Sequence, residues 1–166
     1  MASPRPLSFA EYRAFDSQLV NAIIVLEPMK EEFEIIEHTS DIGIRAEGIE
    51  LAQAFANAAR GMFSLITDIE KVDEVLYRDV EVTAPDREAL LVEWLNELIF
   101  LFDTEQLLLK RFYISELTDT RLKARCYGEK VDRSKHELRI GIKSATYHMV
   151  KIEKNSNYQV QVLFDV

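Results

Sequence analysis

Acidic residues at two distant points of the chain could bind a cation together. One is Asp41, at the end of the polar segment that starts at His38, and the other is Asp165. Alternation along the last predicted strand turns Phe164 toward the core and Asp165 to the opposite face. Val166 follows at once, so its carboxyl group lies beside the Asp165 side chain. Two carboxylates this close repel each other unless a cation or a donor lies between them.

Asp41, Asp165 and Val166 would together offer the ligands of a hard-oxygen metal site. Such ligands suit a divalent ion, with calcium as the first expectation and magnesium or manganese as alternatives. The sequence has no His and Cys spacing typical of a zinc site. Two plainer interpretations stay open at this point. Thr39 and Ser40 favour a turn that bonds its own backbone, and the last residues could form a solvated chain end.

The remaining reactive side chains indicate little chemistry. His136 lies in a predicted polar turn and nothing suggests a function for it. Cys126 occupies an alternating strand position and is expected to be a small buried residue. One cysteine cannot form a disulfide within the chain, so nothing indicates secretion. No established catalytic motif appears, and the predicted set of catalytic residues is therefore empty.

Two helices are predicted to position these residues. The first runs roughly from Ile49 to Thr67 and carries one apolar stripe. The second follows Asp86, a residue type favoured at N-caps, and continues to about Asp103. Its apolar stripe is the strongest in the sequence and contains Trp94. This stripe is expected to pack in the core.

The rest of the chain reads as strands. Extended segments are predicted at 33–47 with a polar interruption at 37–41, around 80–82, and at 108–117, 122–126, 139–143, 147–153 and 158–164. The last two flank Lys154-Asn155-Ser156-Asn157, a composition typical of a hairpin turn. Helices placed early and strands placed late indicate an α+β fold. We expect a single domain with a mostly antiparallel β-sheet and two main helices packed on it.

The charge balance narrows the classes of function. The chain has 166 residues, with 29 acidic and 20 basic side chains and a formal charge of −9 at pH 7. Binding to nucleic-acid phosphates normally needs a basic face, so no direct contact with RNA or DNA is expected. An acidic surface suits a cation or a basic partner such as a nucleic-acid enzyme. No apolar run approaches the roughly 20 residues that span a bilayer, and a cytoplasmic location is expected.

Residues 1–28 differ from the rest of the chain. Ser8 and Glu11 fit a capping box, and apolar residues at helical spacing follow until Pro28. The next residue, Met29, would read well as a native start. We therefore interpret residues 1–28 as an N-terminal extension, either a short helix or an added upstream segment. Residues 29–166 are interpreted as the functional domain.

Five motifs, in this order, resemble those of the archease family. They are His38-Thr39-Ser40-Asp41-Ile42-Gly43, Ala54-Phe55-Ala56-Asn57-Ala58-Ala59, Trp94-Leu95-Asn96-Glu97-Leu98, Lys143-Ser144-Ala145-Thr146-Tyr147-His148 and Phe164-Asp165-Val166. No single motif decides the matter, but five in the family's order do. The resemblance covers residues 33–166 and leaves residues 1–32 outside.

The resemblance implies an accessory protein rather than an enzyme. Archease-like proteins assist a tRNA-splicing RNA ligase, which joins a 3′-phosphate or cyclic-phosphate end to a 5′-hydroxyl through its own guanylylated histidine. They promote that guanylylation and multiple turnover, and can broaden nucleotide use. The resemblance also implies the metal site at Asp41, Asp165 and Val166.

Three further residues receive roles through these motifs. We expect Lys143 to contact phosphate or the partner as a point cation, although it could also be a solvated strand lysine. His38 and His148 could each orient a carboxylate from a position beside the site. A structural histidine that only donates and accepts hydrogen bonds is the alternative for both.

Two other functions stay open. One is a chaperone-like modulator of a tRNA methyltransferase, which would make that enzyme a second partner. The other is a metal-dependent hydrolase, which would need a base or nucleophile beside the metal. Asp41, His38 or Lys143 would have to take that role. The pattern indicates no particular oligomeric state.

Overall fold

Seven strands and two helices make up residues 32–166, the part of the chain that the computed structural model describes. The strands are β1 (Phe33–His38), β2 (Asp41–Gly48), β3 (Leu76–Thr83), β4 (Leu107–Leu117), β5 (Arg121–Lys130), β6 (Ser144–Lys154) and β7 (Tyr158–Asp165). The helices are α1 (Leu51–Ile66) and α2 (Arg87–Glu105), and a short 3₁₀ helix spans Ile69–Lys71. Neither α1 nor α2 is long and apolar enough to cross a membrane. The extension predicted at residues 1–28 lies outside the described residues.

The strands form two antiparallel sheets. Sheet A has the strand order β1-β2-β7-β6, and sheet B has the order β3-β5-β4. Every strand pairing within them is antiparallel. The predicted α+β class is confirmed, with the strands divided between two sheets. α1 packs on β2 and β4, and α2 packs on β6 and β3, so each helix contacts both sheets.

The apolar stripes of the two helices form the core. Trp94 is fully buried on α2, and its indole N–H donates to the Phe55 carbonyl of α1 at 3.1 Å. Its ring meets Phe112 of β4 edge-on, with 6.0 Å between centroids. Phe112 also stacks on Phe63 at 5.9 Å. A buried indole whose N–H has a hydrogen-bond partner stabilises the core through its whole apolar surface. The predicted core role of Trp94 is confirmed.

Local sequence explains where α2 begins and ends. Asp86 accepts a hydrogen bond from the Ala89 N–H at 2.8 Å, as an N-cap residue does. Gln106 adopts the left-handed conformation with φ 56°, and its N–H donates to the Phe102 carbonyl. The helix therefore ends at Glu105, slightly beyond the predicted end near residue 103.

The strand predicted at 139–143 is wrong. Residues 131–143 form a turn and a loop without a ladder partner among the described strands. The buried side chain of Ile142 explains the alternating pattern. The backbone has other partners, because the Arg139 N–H donates to the Ile66 carbonyl and the Lys143 N–H to the Asp165 carbonyl, both at 2.8 Å. A period of two shows which side chains are buried, but it does not show that the backbone has a strand partner.

β6 contains an irregularity that the sequence did not indicate. The predicted hairpin turn at 154–157 is confirmed, since β6 and β7 pair on either side of it. However, Thr146 pairs with Leu163 whereas Lys151 pairs with Gln161, so β6 has a bulge between these two rows. Within the bulge Met149 has the left-handed φ of 57°.

Candidate functional site

The ends of four strands meet in one row across sheet A. The β1–β2 register pairs His38 with Asp41. The β2–β7 ladder, continued by one residue, brings Asp41 beside Asp165. The β6–β7 register then pairs Asp165 with Ser144. Residues that are more than a hundred positions apart in the sequence therefore become neighbours at one end of the sheet.

Asp41 and Asp165 also share a face of the sheet. Ile42 and Phe164 pair directly and point toward the helices, so the residues next to them point to the outer face. Side chains opposed in an antiparallel pair have Cβ atoms roughly 5 Å apart. The structure thus brings together the two acidic side chains of the predicted metal site, and like charges in this position destabilise a sheet unless something compensates them.

Lys143 and Val166 lie at the same end of sheet A. Lys143 directly precedes β6, and its backbone N–H donates to the Asp165 carbonyl at 2.8 Å. This bond fixes the Lys143 main chain beside Asp165, while the lysine side chain is exposed. Val166 follows Asp165 and is 45% exposed.

The two histidines assigned to orient carboxylates lie on different strands. His38 ends β1 and is paired in register with Asp41. His148 lies in the bulge of β6 with an exposed side chain. The role predicted for both stays a prediction.

α2 holds the start of β6 in place. The Asn96 side-chain oxygen accepts from the Ala145 N–H at 2.8 Å, and its amide nitrogen donates to the Ala145 carbonyl at 3.3 Å. β6 is an edge strand of sheet A, so this amide stands where a further strand would. The Tyr147 hydroxyl donates to Glu93 at 3.1 Å. Partial burial, then the hydrogen bond and charge of Glu93, raise the pKa of Tyr147.

The role of Asn96 was missed in the sequence. The apolar spacing around Asn96 predicts only core packing, through Trp94, and Trp94 and Leu95 are indeed fully buried. One feature of the sequence could have indicated it: Asn96 is an amide side chain among the apolar residues of the strongest helical stripe. Such a position calls for a specific hydrogen-bond partner, because a polar group at a buried face costs free energy without one.

Part of the outer face of sheet A is covered. Leu163 is 1% exposed and Gln161 is 5% exposed, although both point away from the helices. The Gln161 amide nitrogen donates to the Met149 carbonyl at 3.0 Å, so the bulge of β6 lies over this region. Gly43 sits opposite Leu163, and a Cβ at Gly43 would come within 2.6 Å of the Leu163 Cδ2 atom. The glycine is needed here because there is no room for a side chain.

The set of potential ligands is small. No group of three or more His, Cys, Asp or Glu side chains within residues 32–166 could hold a metal ion. Asp41 and Asp165 contribute two carboxylates, so any ion held by them would need main-chain oxygens, such as that of Val166, or water as further ligands. The donors are hard oxygens, a chemistry that fits calcium, magnesium or manganese.

His136 is buried, which its polar neighbours in the sequence did not suggest. It is 3% exposed, and its Nδ1 accepts from the Asp132 N–H at 2.9 Å. Its Nε2 lies 3.4 Å from a Glu129 oxygen. Lys135 forms an ion pair with the same carboxylate at 2.8 Å. The group stabilises the loop that leads to Lys143.

Comparison with known proteins gives the same answer as the motifs. Residues 33–166 match the model of the archease protein family. The chain belongs to the archease family. The archease of Sulfurisphaera tokodaii is 41% identical over 131 residues, which cover 78% of this chain and 94% of that protein. The archease of Pyrococcus abyssi is 40% identical over 139 residues, which cover 81% and 98%.

Solved structures of archeases and related proteins share the fold. The solution structure of Methanobacterium thermoautotrophicum protein 1598 is 35% identical with a TM-score of 0.70, covering 82% of this chain and all of that one. The crystal structure of a Thermotoga maritima archease, described as a possible chaperone, is 20% identical with a TM-score of 0.55. It covers 84% of this chain and 99% of its own, and at this identity it shows the archease fold alone. The family expected from the five motifs is therefore confirmed.

Proposed function

We propose that this chain is an accessory protein that activates a tRNA-splicing RNA ligase of the 3′-phosphate/5′-hydroxyl type. It would promote guanylylation of the ligase and multiple turnover. Family membership supports this proposal. The observation that carries it is the position of Asp41 and Asp165 directly beyond the paired residues Ile42 and Phe164, with the Lys143 backbone bonded to Asp165.

A divalent ion is assigned in this proposal to Asp41, Asp165 and Val166. Calcium is the first expectation, and magnesium or manganese are alternatives. Two carboxylates held side by side, with their backbones fixed by strand pairing, supply the charge that such an ion needs. When bound, the ion would supply positive charge to a triphosphate, as metal ions do in phosphoryl transfer.

Lys143 has a separate role in the proposal. Its exposed ammonium group would offset phosphate charge in the nucleotide pocket of the ligase. Its backbone N–H donates to the Asp165 carbonyl. This bond to the sheet does not use the side chain. The covalent chemistry stays with the ligase, whose own histidine becomes guanylylated.

The overall charge fits a protein that assists an RNA enzyme without holding RNA. The formal charge of −9 repels nucleic-acid phosphates. An enzyme that binds RNA needs a basic surface, and an acidic accessory protein is complementary to such a surface. No direct nucleic-acid contact is therefore proposed.

A guanylylation assay tests the proposal. Purified ligase and labelled GTP are mixed with the full chain, with Asp165→Ala, or with Glu137→Ala as a matched control. Glu137 is exposed and lies outside sheet A. We expect the native chain and the control to stimulate ligase guanylylation and Asp165→Ala to lose the stimulation. No effect of the native chain on its cognate ligase would overturn the proposal.

A second candidate is a chaperone-like modulator of a tRNA methyltransferase. The description of the Thermotoga maritima relative as a possible chaperone favours it. This function predicts that protection of the methyltransferase from aggregation survives Asp165→Ala. Turnover of phosphoesters by the purified chain alone, lost in Asp41→Ala, would instead favour the hydrolase.

A further inference from the structure

Negative charge is left uncompensated on one side of α2. The sequence from Arg87 to Lys110 contains no other basic residue. Among the described residues Glu93, Glu97 and Asp103 form no ion pair. The exposed acids of sheet B differ, because each has a basic partner. These pairs are Asp79 with Arg125, Glu81 with Arg121 and Glu116 with Lys123.

Two exposed aromatic side chains lie beside these acids. Phe100 is 56% exposed and Tyr147 is 57% exposed. Tyr147 is held by its hydrogen bond to Glu93. Phe100 lies one turn after Asn96, on the helix face that contacts β6. We call Glu93, Glu97, Phe100 and Tyr147 together the α2 stripe.

The α2 stripe leads to the paired carboxylates. Glu93 contacts Tyr147 and Asn96 contacts Ala145, so α2 and β6 run in opposite directions. Moving from Asn96 to Phe100 along α2 therefore corresponds to moving from Ala145 toward Lys143. Phe100 thus marks the end of the stripe that is nearest to the carboxylate pair.

We propose that the α2 stripe docks on a basic protein surface, in which lysines and arginines surround an apolar pocket that receives Phe100. The inference rests on the proposed function, in which the partner is an RNA ligase whose RNA-binding surface has to be basic. Acidic groups around an exposed aromatic anchor are complementary to such a surface. Charge complementarity speeds and orients the encounter, and a buried aromatic anchor supplies most of the affinity.

Docking through this stripe explains how the paired carboxylates reach the partner. Asp165 pairs with Ser144, which lies next to Ala145, so the α2 stripe leads toward the end of sheet A that carries both acidic side chains. The docking surface and the carboxylate pair are then separate features at the same end of sheet A. Substitutions should separate them, because one part holds the partner and the other acts on it.

Direct binding between the full chain and the purified ligase tests the docking surface. Binding is measured by fluorescence anisotropy of the labelled chain, without GTP. We expect Phe100→Ala to raise the dissociation constant at least about fivefold, as for an anchor residue. Glu97→Gln should reduce the dependence of binding on salt. The matched control is Tyr113→Ala, which removes another exposed aromatic side chain, 42% exposed and on sheet B, and it should bind like the native chain.

Folding and stimulation are measured on the same proteins. Phe100→Ala should fold normally, because the side chain is mostly exposed and alanine favours a helix. It should stimulate guanylylation fully at saturating concentration but need more protein to do so. Asp165→Ala should bind normally and not stimulate.

The outcomes separate the two proposals. Binding of Phe100→Ala within twofold of the native chain would overturn the docking surface and leave the proposed function standing. Equal losses in Phe100→Ala and Tyr113→Ala would also overturn the docking surface. A native chain that neither binds nor stimulates the ligase would overturn both.

Discussion

Asn96 satisfies both backbone groups of Ala145 with one side chain, at 2.8 Å to the N–H and 3.3 Å to the carbonyl. Ala145 itself is 5% exposed. The contact joins the second helix to the edge strand of sheet A and holds the segment that starts at Lys143. It explains why a helix motif and a strand motif 49 residues apart belong to one structural unit.

Asn96→Ala should destabilise the protein by about 1–3 kcal/mol, because it leaves the Ala145 N–H and carbonyl without partners. Urea denaturation followed by circular dichroism measures the change. Asn96→Asp keeps the acceptor for the Ala145 N–H, so it should lose less stability than Asn96→Ala. A change below about 0.5 kcal/mol, the usual range of a surface substitution, would show that water replaces the amide.

Asp41→Asn and Asp165→Asn should abolish stabilisation by divalent ions. In EDTA, Asp165→Asn should be as stable as the native chain or more stable, because a like-charge pair has been removed. In calcium, only the native chain should gain stability. The gain should be about 2.7 kcal/mol when the calcium concentration is a hundred times the dissociation constant. Melting temperatures in calcium, magnesium and manganese series measure this. If none of the three ions changes the melting temperature of the native chain, the proposed site is contradicted.

Lys143→Ala should separate activity from stability. The structural contact of Lys143 uses its backbone N–H, which alanine retains, so stability should change by less than about 0.5 kcal/mol. Stimulation of ligase guanylylation should fall strongly. Normal stimulation by Lys143→Ala would remove this residue from the proposal.

Gly43→Ala should lower the free energy of unfolding by about 1–3 kcal/mol, a value typical of overpacking. The added methyl group would meet the Leu163 side chain and the Val162 carbonyl oxygen, both at 2.6 Å. Gly141→Ala is the matched control, because no atom lies within 4 Å of the place that its added methyl group would take, and its φ is not positive. It should be neutral or slightly stabilising. Chemical denaturation of both variants measures the difference, and equal stabilities would contradict the close approach seen at Gly43.

Cys126 should make stability fall at alkaline pH. Burial, with a smaller contribution from the Asp79 charge, raises the pKa of the Cys126 thiol to about 12. Above pH about 8.5 the unfolded chain releases this proton and the folded chain keeps it, so the unfolded state is favoured as pH rises. The loss should be at most about 1.4 kcal/mol per pH unit until the native pKa is reached.

The measurement compares the native chain with Cys126→Ala between pH 8 and pH 10. Tyrosines and lysines titrate in both proteins, so the difference between the two slopes reports on the thiol. The native thiol should also react with a disulfide reagent only after unfolding. Rapid reaction of the folded protein would contradict the burial of Cys126.

Much of the local structure could be predicted from the sequence. The Asp86 cap, the apolar stripe around Trp94 and the hairpin turn at 154–157 each depend on residues that are close along the chain. Alternation also assigned Phe164 and Asp165 to opposite faces of the last strand. The strand predicted at 139–143 failed because alternation reports burial, and here the backbone bonds to the end of a helix and the end of a strand.

The candidate site was only partly predictable. The order of the motifs indicates Asp41, Lys143 and Asp165, and the structure brings them to one end of sheet A. Asn96 and the burial of His136 were missed, because each depends on a partner segment that local sequence does not identify. The cover over Leu163 was missed for the same reason, since it depends on a bulge in a neighbouring strand.

The sequence by itself determined the family, through five motifs in order, and the helices with their buried faces. The buried faces follow from residue types and from the helical period of 3.6 residues, which a short stretch of chain contains in full. Only the tertiary structure decided that the strands form two sheets, that Asp41 lies beside Asp165, and that Asn96 completes the edge at Ala145. Strand pairing joins segments that are far apart in the chain, and alternation specifies which face of a strand is buried without specifying its neighbour.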